Sequence, residues 1–304
     1  TGGDGMALAL YREALWAGGA KGLVRVEPAT GVVLEEVTVE GATLRYVSDL
    51  LVTRGDVLWV AHARGASAFD GTAWRTLTAE DGLPEGRLLA LAEEPTGALW
   101  FGAERGLARC AEGACRVFTR ADGLASDLVS VLFVDSSGTV WAGNGLNTEG
   151  GLSAWNGATG TPGGVWRQVT VEDGLAHPMV NAILEDREGA LWFGVGFAAR
   201  GGANRWDGAP GTPGATWATF TEADGLAGPK VRSLFEDAEG ALWFGSEYNG
   251  VARYADGAWL ALEPERGFSG AEIKAMLQTP DGALWFGTES GLTRISAEAL
   301  GELE

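Results

Sequence analysis

Apolar residues in this sequence come in short runs of strand length, separated by turns that carry Gly. The third unit shows the pattern most clearly. Asp81-Gly82-Leu83 opens it, an apolar run follows from Leu88 to Leu91, and a turn falls at Pro95-Thr96-Gly97. The run Ala98-Leu99-Trp100-Phe101-Gly102 comes next, then a polar turn, Leu107 to Cys110, a turn at Glu112-Gly113, and Arg116 to Thr119. Four runs with tight turns between them predict an antiparallel meander, with strands called A, B, C and D in chain order. Strand B is apolar on both alternating faces, Leu99 and Phe101 on one and Ala98 and Trp100 on the other. Such a sheet faces water on neither side, so it must lie between two others.

The strand B run repeats. Close copies stand at Ala190–Gly194, Ala241–Gly245 and Ala283–Gly287, and weaker ones at Ala14–Gly18, Val57–Ala61 and Thr139–Gly143. Trp16, Trp59, Trp100, Trp141, Trp192, Trp243 and Trp285 mark seven units, spaced by 43, 41, 41, 51, 51 and 42 residues. A period near forty is the signature of a repeat architecture. Four-stranded sheets stacked radially bury both faces of every inner strand, so the expected fold is all-β, a seven-bladed β-propeller of four-stranded antiparallel blades. Residues 1–304 then form one domain. A fourth strand for blade 7 is not evident, and Ala297 to Glu304 reads either as a short strand or as a helix. Asp4-Gly5-Met6 reads as a worn copy of the Asp-Gly-Leu opener, and Glu40-Gly41-Ala42 opens blade 2.

Comparing the units with one another yields two further readings. Strand C ends and strand D begins with an aromatic pair: Phe69 and Trp74, Trp155 and Trp166, Trp206 and Trp217, Tyr254 and Trp259. In blade 3 the pair is Cys110 and Cys115, and the chain has no other Cys. Two small thiols can fill the aromatic slot. A disulfide is the sharper reading, because cross-strand neighbours lie within reach and both positions changed together; it places the chain outside the reducing cytosol. Blades 4 and 5 are longer than blade 3 in both the B–C and the C–D turns. Their C–D insertions, residues 157–164 and 208–215, look like one duplicated hairpin tip.

Composition narrows the function classes. A net charge of −19 opposes binding to a phosphate backbone, so nucleic acid is excluded as a partner. No apolar run reaches the ~18 residues of a membrane span. No basic targeting segment is visible, and Thr1-Gly2-Gly3-Asp4 is compatible with a trimmed leader. The paired acids Asp186 with Glu188 and Asp237 with Glu239 sit in turns too short for a strong calcium site. No nucleophile triad, phosphate loop or zinc spacing occurs. Neither a metal nor another cofactor is expected. The Asp-Gly-Leu openers read as turns with a hydrophobic latch. The recurrent Arg of strand C (Arg25, Arg109, Arg205, Arg253, Arg294) reads as packing along its blade.

Asp224-Gly225-Leu226, then Glu236-Asp237-Ala238-Glu239-Gly240-Ala241-Leu242-Trp243-Phe244-Gly245, then Gly250-Val251-Ala252-Arg253 resembles the two-component-regulator propeller repeat. The resemblance runs through the chain, weakly in blades 1 and 2. It implies a propeller that senses ligands outside the cytoplasm, often glycans, within a longer protein bearing an output domain. The seven-bladed streptogramin lyases carry similar runs, such as Asp281 to Phe286, and supply an enzyme alternative; a protein-docking scaffold is a third.

Function is expected where the blades differ. The D-to-A connections and B–C turns should share one face around the channel mouth. The ligand-binding candidates there are His62, Arg64, Arg87, Arg105, Asn144, Asn147, His177, Phe197, Arg200, Lys230, Glu247 and Tyr248. Mixed acids, amides, bases and rings suit a small polar ligand or glycan, hydrogen-bonded at its edges and stacked on a ring. Catalytic residues are not assigned. A lyase needs a base and an acid converging on one position, and only His62 and His177 offer an imidazole. A binding role, periplasmic or extracellular, is therefore preferred.

Overall fold

The computed structural model describes residues 6–40, 42–146, 150–155, 157, 164–208 and 216–302. They form seven antiparallel sheets in a ring. Blade 1 is Met6–Tyr11, Ala14–Gly19, Gly22–Val26 and Val33–Val39, extended by Ala42–Thr43. Blade 2 is Asp49–Val52, Leu58–His62, Gly65–Phe69 and Trp74–Leu77. Blade 3 is Leu88–Glu93, Leu99–Ala103, Gly106–Ala111 and Ala114–Phe118, and blade 4 is Val131–Val134, Val140–Gly143, Leu152–Trp155 and Trp166–Val169. Blade 5 is Val180–Glu185, Leu191–Phe197, Arg200–Trp206 and Trp217–Phe220. Blade 6 is Val231–Glu236, Leu242–Ser246, Val251–Ala255 and Ala258–Leu262. Blade 7 has three strands, Ile273–Gln278, Leu284–Thr288 and Leu292–Ile295, and a short helix, Ala297–Gly301, follows.

All seven marker Trp are buried, none more than 4% exposed. Each packs in the layer between its blade and the next, as Trp100 does against Trp155 and Trp166. Burying an indole leaves its N–H in need of an acceptor. In four blades that acceptor is an acid six residues earlier, in the A–B turn. Trp100 donates to Glu94 (2.6 Å), Trp141 to Asp135 (2.8 Å), Trp192 to Asp186 (2.7 Å) and Trp243 to Asp237 (2.7 Å). The other oxygen of Asp135, Asp186 and Asp237 accepts turn N–H groups. Asp186 and Asp237, one of each acid pair in blades 5 and 6, are thus spent on the turn and the core. Blade 7 has Thr279 at this position, and the Trp285 N–H has no partner.

The strand C Arg lies over the same Trp. Arg25, Arg205 and Arg253 stand 5.8, 6.0 and 5.9 Å from the ring centres of Trp16, Trp192 and Trp243. Arg109 instead grips Glu94 through Nε (2.7 Å) and Nη2 (2.9 Å). Burial opposes ionisation of Glu94, but Arg109, Trp100 and Thr96 together hold its carboxyl below the usual range.

The opener is more than a turn. Thr78, Thr119, Thr170 and Thr221 each donate backbone N–H to an Asp three residues on, at 2.9, 2.9, 2.9 and 2.8 Å. The following Gly takes positive φ, and Leu83, Leu124, Leu175 and Leu226 are buried at 1–4% exposure. At Gly225 a Cβ would stand 2.3 Å from the Trp259 Cβ, so the approach of this loop to strand D requires glycine there. These latches, and Phe268 in blade 7, lie seventeen residues before their Trp. Counted back from Trp16, that position falls before Thr1. Met6 is therefore strand, paired with Gly19, and not a latch; Asp4 and Gly5 lie outside the described residues. A groove of about 460 Å³ runs between blades 7 and 1, lined by Leu23, Val24, Val37, Gly291 and Leu292 among others.

The ring closes by direct packing. Trp285 of blade 7 joins Leu15 and Val26 of blade 1 in one cluster, and Arg294 donates to the Pro28 carbonyl. On the A–B face, successive blades are tied by the turn of one and the end of strand A of the next: Arg54 N–H to Glu93, Ser136 to Glu185, Arg187 to Glu236 and Ala238 to Gln278. The aromatic pairs are cross-strand partners, with ring centres 4.7–5.5 Å apart. Cys110 faces Cys115 in the same register and forms a disulfide. Most of the two duplicated C–D tips lies outside the described residues.

Two outcomes are expected. Asp237→Ala strands the Trp243 N–H and the turn N–H groups, and should cost about 2–3 kcal/mol, measured by urea denaturation. Protein purified without reductant should show no free thiol on titration under denaturing conditions.

Candidate functional site

Strand A is the innermost strand of each blade, so its first residues ring the channel. In blades 3, 5, 6 and 7 the A–B register slips by one residue, between Leu88 and Ala90, Val180 and Ala182, Val231 and Ser233, and Ile273 and Ala275. A β-bulge re-aims the extra side chain. The four extra residues, Leu89, Asn181, Arg232 and Lys274, all line one cavity of about 130 Å³. Met6, Ser48 and Val131 complete its ring, so every blade contributes, and Tyr46, Arg87, Ser130 and the Gly145-Leu146 turn form its rim. D-to-A and B–C segments meet here, on the face expected from the connectivity.

Of the eleven candidates among the described residues, only Arg87 lines this cavity. Its backbone N–H (3.1 Å) and Nε (2.9 Å) both go to Glu104, which is held below its usual range by these bonds, and its guanidinium lies 5.9 Å from the Tyr46 ring centre. Six others gather on the rim of blades 5 and 6. Strands B and C of blade 5 extend to Phe197 and Arg200, so this hairpin projects with both at its tip. Phe197 is 52% and Tyr248 64% exposed. Lys230 is buried beneath them, paired with Glu247 (2.5 Å) and 5.9 Å from the Phe197 ring centre, while the Tyr248 hydroxyl donates to Glu247 (3.1 Å). Half-buried His177 accepts from the Met179 N–H (3.0 Å). Burial, Arg200 and Lys230 all lower its pKa.

Four further candidates, His62, Arg64, Arg105 and Asn144, do not line the cavity. His62 is 2% exposed: Nδ1 accepts the Arg64 N–H (3.2 Å) and Nε2 meets Ser67 Oγ (2.9 Å), which meets Thr76 (2.8 Å). It is a satisfied core imidazole joining strands B, C and D of blade 2. Asn144 is buried at 1% and accepts the Leu146 N–H, holding the B–C turn of blade 4. Arg64 is exposed beside His62, and Arg105 pairs with Glu85, both exposed (3.1 Å). Asn147 lies outside the described residues.

Sequence reasoning missed Asn181, Arg232 and Lys274. All three lie eleven residues before their Trp, where blades 2, 3 and 4 carry Ser48, Leu89 and Ser130. The flanking position, twelve before, is apolar in blades 2 to 7: Val47, Leu88, Val129, Val180, Val231 and Ile273. A variable position beside a constant one was the available signal. Among the described residues, no cluster of three His, Cys, Asp or Glu side chains is placed to hold a metal ion, and no helix is long and apolar enough to cross a membrane.

Fold and channel mouth together define a seven-bladed β-propeller with a cavity on its axis. The family model of the two-component regulator propeller matches residues 174–196, 225–248 and 267–290, in blades 5, 6 and 7, so these blades carry that repeat. Solved structures share the fold. The extracellular domain of the hybrid two-component system BT3049 from B. thetaiotaomicron is 18% identical with a TM-score of 0.75, covering 96% of this chain and 40% of that one. A catalytically inactive virginiamycin B lyase from Staphylococcus aureus, with quinupristin, is 15% identical with a TM-score of 0.70, covering 96% and 95%. PorZ, a surface component of the type-IX secretion system of Porphyromonas gingivalis, is 16% identical with a TM-score of 0.73, covering 96% and 46%. The chain spans about two fifths of the length of the BT3049 chain. No curated protein sequence matches it.

His62 yields a pH prediction. Burial, then Arg64, lowers its pKa from 6.5 to about 4. The folded state therefore binds fewer protons than the unfolded state between these values, and stability falls as pH drops from about 6.5 toward 4. Full loss is on the order of 3 kcal/mol. The buried carboxyl of Asp49, pushed up to about 7, titrates in the same window with opposite sign. The His62 contribution is accordingly read as the difference between the wild type and His62→Gln, whose difference in unfolding free energy should change across this range.

Proposed function

We propose that the chain is a non-catalytic sensing module that binds a small polar ligand or glycan at the channel mouth. The observation that carries this reading is the contrast between frame and mouth. Latch, Trp and strand C Arg repeat from blade to blade, while the residues aimed into the cavity differ in nearly every one. A purely structural ring has no need of such variety, and concave sites with a few convergent polar groups are where small ligands bind. Exposed Phe197 and Tyr248 on the adjoining rim offer faces for stacking, with no blade packed against them.

Neither His lines the cavity, which favours binding over lyase chemistry. The disulfide supports a location outside the reducing cytosol, periplasmic or extracellular. The repeat and the shared fold with extracellular sensor domains support a place in a longer signalling chain with its own output domain. Thermal-shift screening of glycans and small metabolites, followed by calorimetry, tests the reading. Tyr248→Ala should weaken the ligand found about tenfold, or ~1.4 kcal/mol, and leave stability unchanged. A ligand that maps to the opposite face, at the C–D tips of blades 4 and 5, would refute it.

A further inference from the structure

We infer that the channel mouth is built for a compact anion carrying a hydroxyl group, a hydroxycarboxylate or the end group of a larger molecule of that kind. The inference rests on the channel-mouth reading and adds the chemistry of the ligand.

Among the described residues, the charged side chains that line the cavity are Arg87, Arg232 and Lys274, with no Asp or Glu. This is the reverse of the chain as a whole, with 41 acids against 22 bases. The nearby carboxylates stand behind the cations. Glu104 accepts the Arg87 N–H and Nε, and Glu272 is shared between Arg232 (3.0 Å) and Lys274 (3.2 Å). Glu289, also near Lys274, accepts the N–H groups of Ala271 and Glu272. These acids position the cations and are themselves occupied.

Both Arg side chains keep donors in reserve. Among the described residues, the Nη groups of Arg87 and Arg232 hydrogen-bond no acceptor. A guanidinium fork with open Nη groups matches a carboxylate or similar oxyanion. Arg87 comes from blade 3, and Arg232 and Lys274 from blades 6 and 7, so the cations approach the cavity from two sides of the ring. Between them, Asn181 donates to the Gly196 carbonyl, and its buried Oδ1 has no partner. An unpaired buried acceptor calls for a donor, and a ligand hydroxyl supplies one. The volume, about 130 Å³, is close to that of a cavity that takes benzene, so it encloses roughly six to eight non-hydrogen atoms of a ligand whose remaining atoms lie at the rim.

Three four-carbon probes separate the contributions: tartrate, succinate and threitol, titrated calorimetrically into the intact chain. Tartrate should bind most tightly, succinate more weakly, and threitol not measurably. Tartrate binding should weaken as salt is raised. Arg87→Gln and Arg232→Gln should each reduce it about tenfold or more, and Asn181→Ala should bring tartrate down to the level of succinate. If Arg232→Gln fails to fold because Glu272 loses its partner, Arg232→Gln with Glu272→Gln replaces it. Threitol binding as well as tartrate, with Asn181→Ala weakening both, overturns the anion and leaves the channel-mouth reading standing. Absence of binding by both acids at about a hundredfold above a 100 μM dissociation constant overturns the anion as well. Ligand binding indifferent to Asn181→Ala, Arg87→Gln and Tyr248→Ala overturns both.

Discussion

The hydrogen bond from a buried indole N–H to an acid six residues earlier is what blades 3 to 6 of this protein depend on. The Trp supplies the apolar volume between neighbouring sheets, and burying its N–H without an acceptor is costly. The acid that provides one also accepts the N–H groups of its own A–B turn, so the turn, strand B and the layer between blades form together. In blade 3 the same carboxylate holds Arg109, which reaches it from strand C. One side chain thereby couples local turn geometry to long-range packing. Blade 7, with Thr279 in place of the acid and an unpartnered Trp285 N–H, is also the blade with three strands.

A frame held this way leaves the other end of each strand A free to vary. The opposite face is tied from blade to blade by turn-to-strand hydrogen bonds, whereas the mouth carries the register slips. A bulge there leaves the Trp layer in place, because strand A regains its register with strand B within one residue. Each blade can therefore present a different side chain to the channel without disturbing its neighbour. The division of labour is spatial: acids and indoles at one level of the ring, bulged residues and the cations backed by Glu104 and Glu272 at another.

The two histidines show how far residue type alone can mislead. Both fall in segments of the mouth face, and imidazole is a common functional group. His62 nonetheless spends both ring nitrogens inside blade 2, and its neutrality is part of the stability of that blade. His177 remains on the rim, where burial and then Arg200 and Lys230 lower its pKa.

The amino-acid sequence by itself determined the blade count, the strand order, the latch and the cross-strand Cys pair. Each of these is a local pattern repeated at a fixed period, and period and register survive in one dimension. It also pointed to the face on which the blades differ, and it grouped Phe197, Lys230, Glu247 and Tyr248, which lie together on the rim. Only the tertiary structure decided which side chains enter the channel. Arg232 and Arg87 are 145 residues apart and meet because the ring brings blades 3 and 6 to one axis. A one-residue bulge turns Arg232 inward, and a bulge is a property of paired strands that no single strand displays. The burial of His62 and Asn144 was decided in the same way, by hydrogen bonds to residues whose orientation is set when the strands pair and the turns close around them.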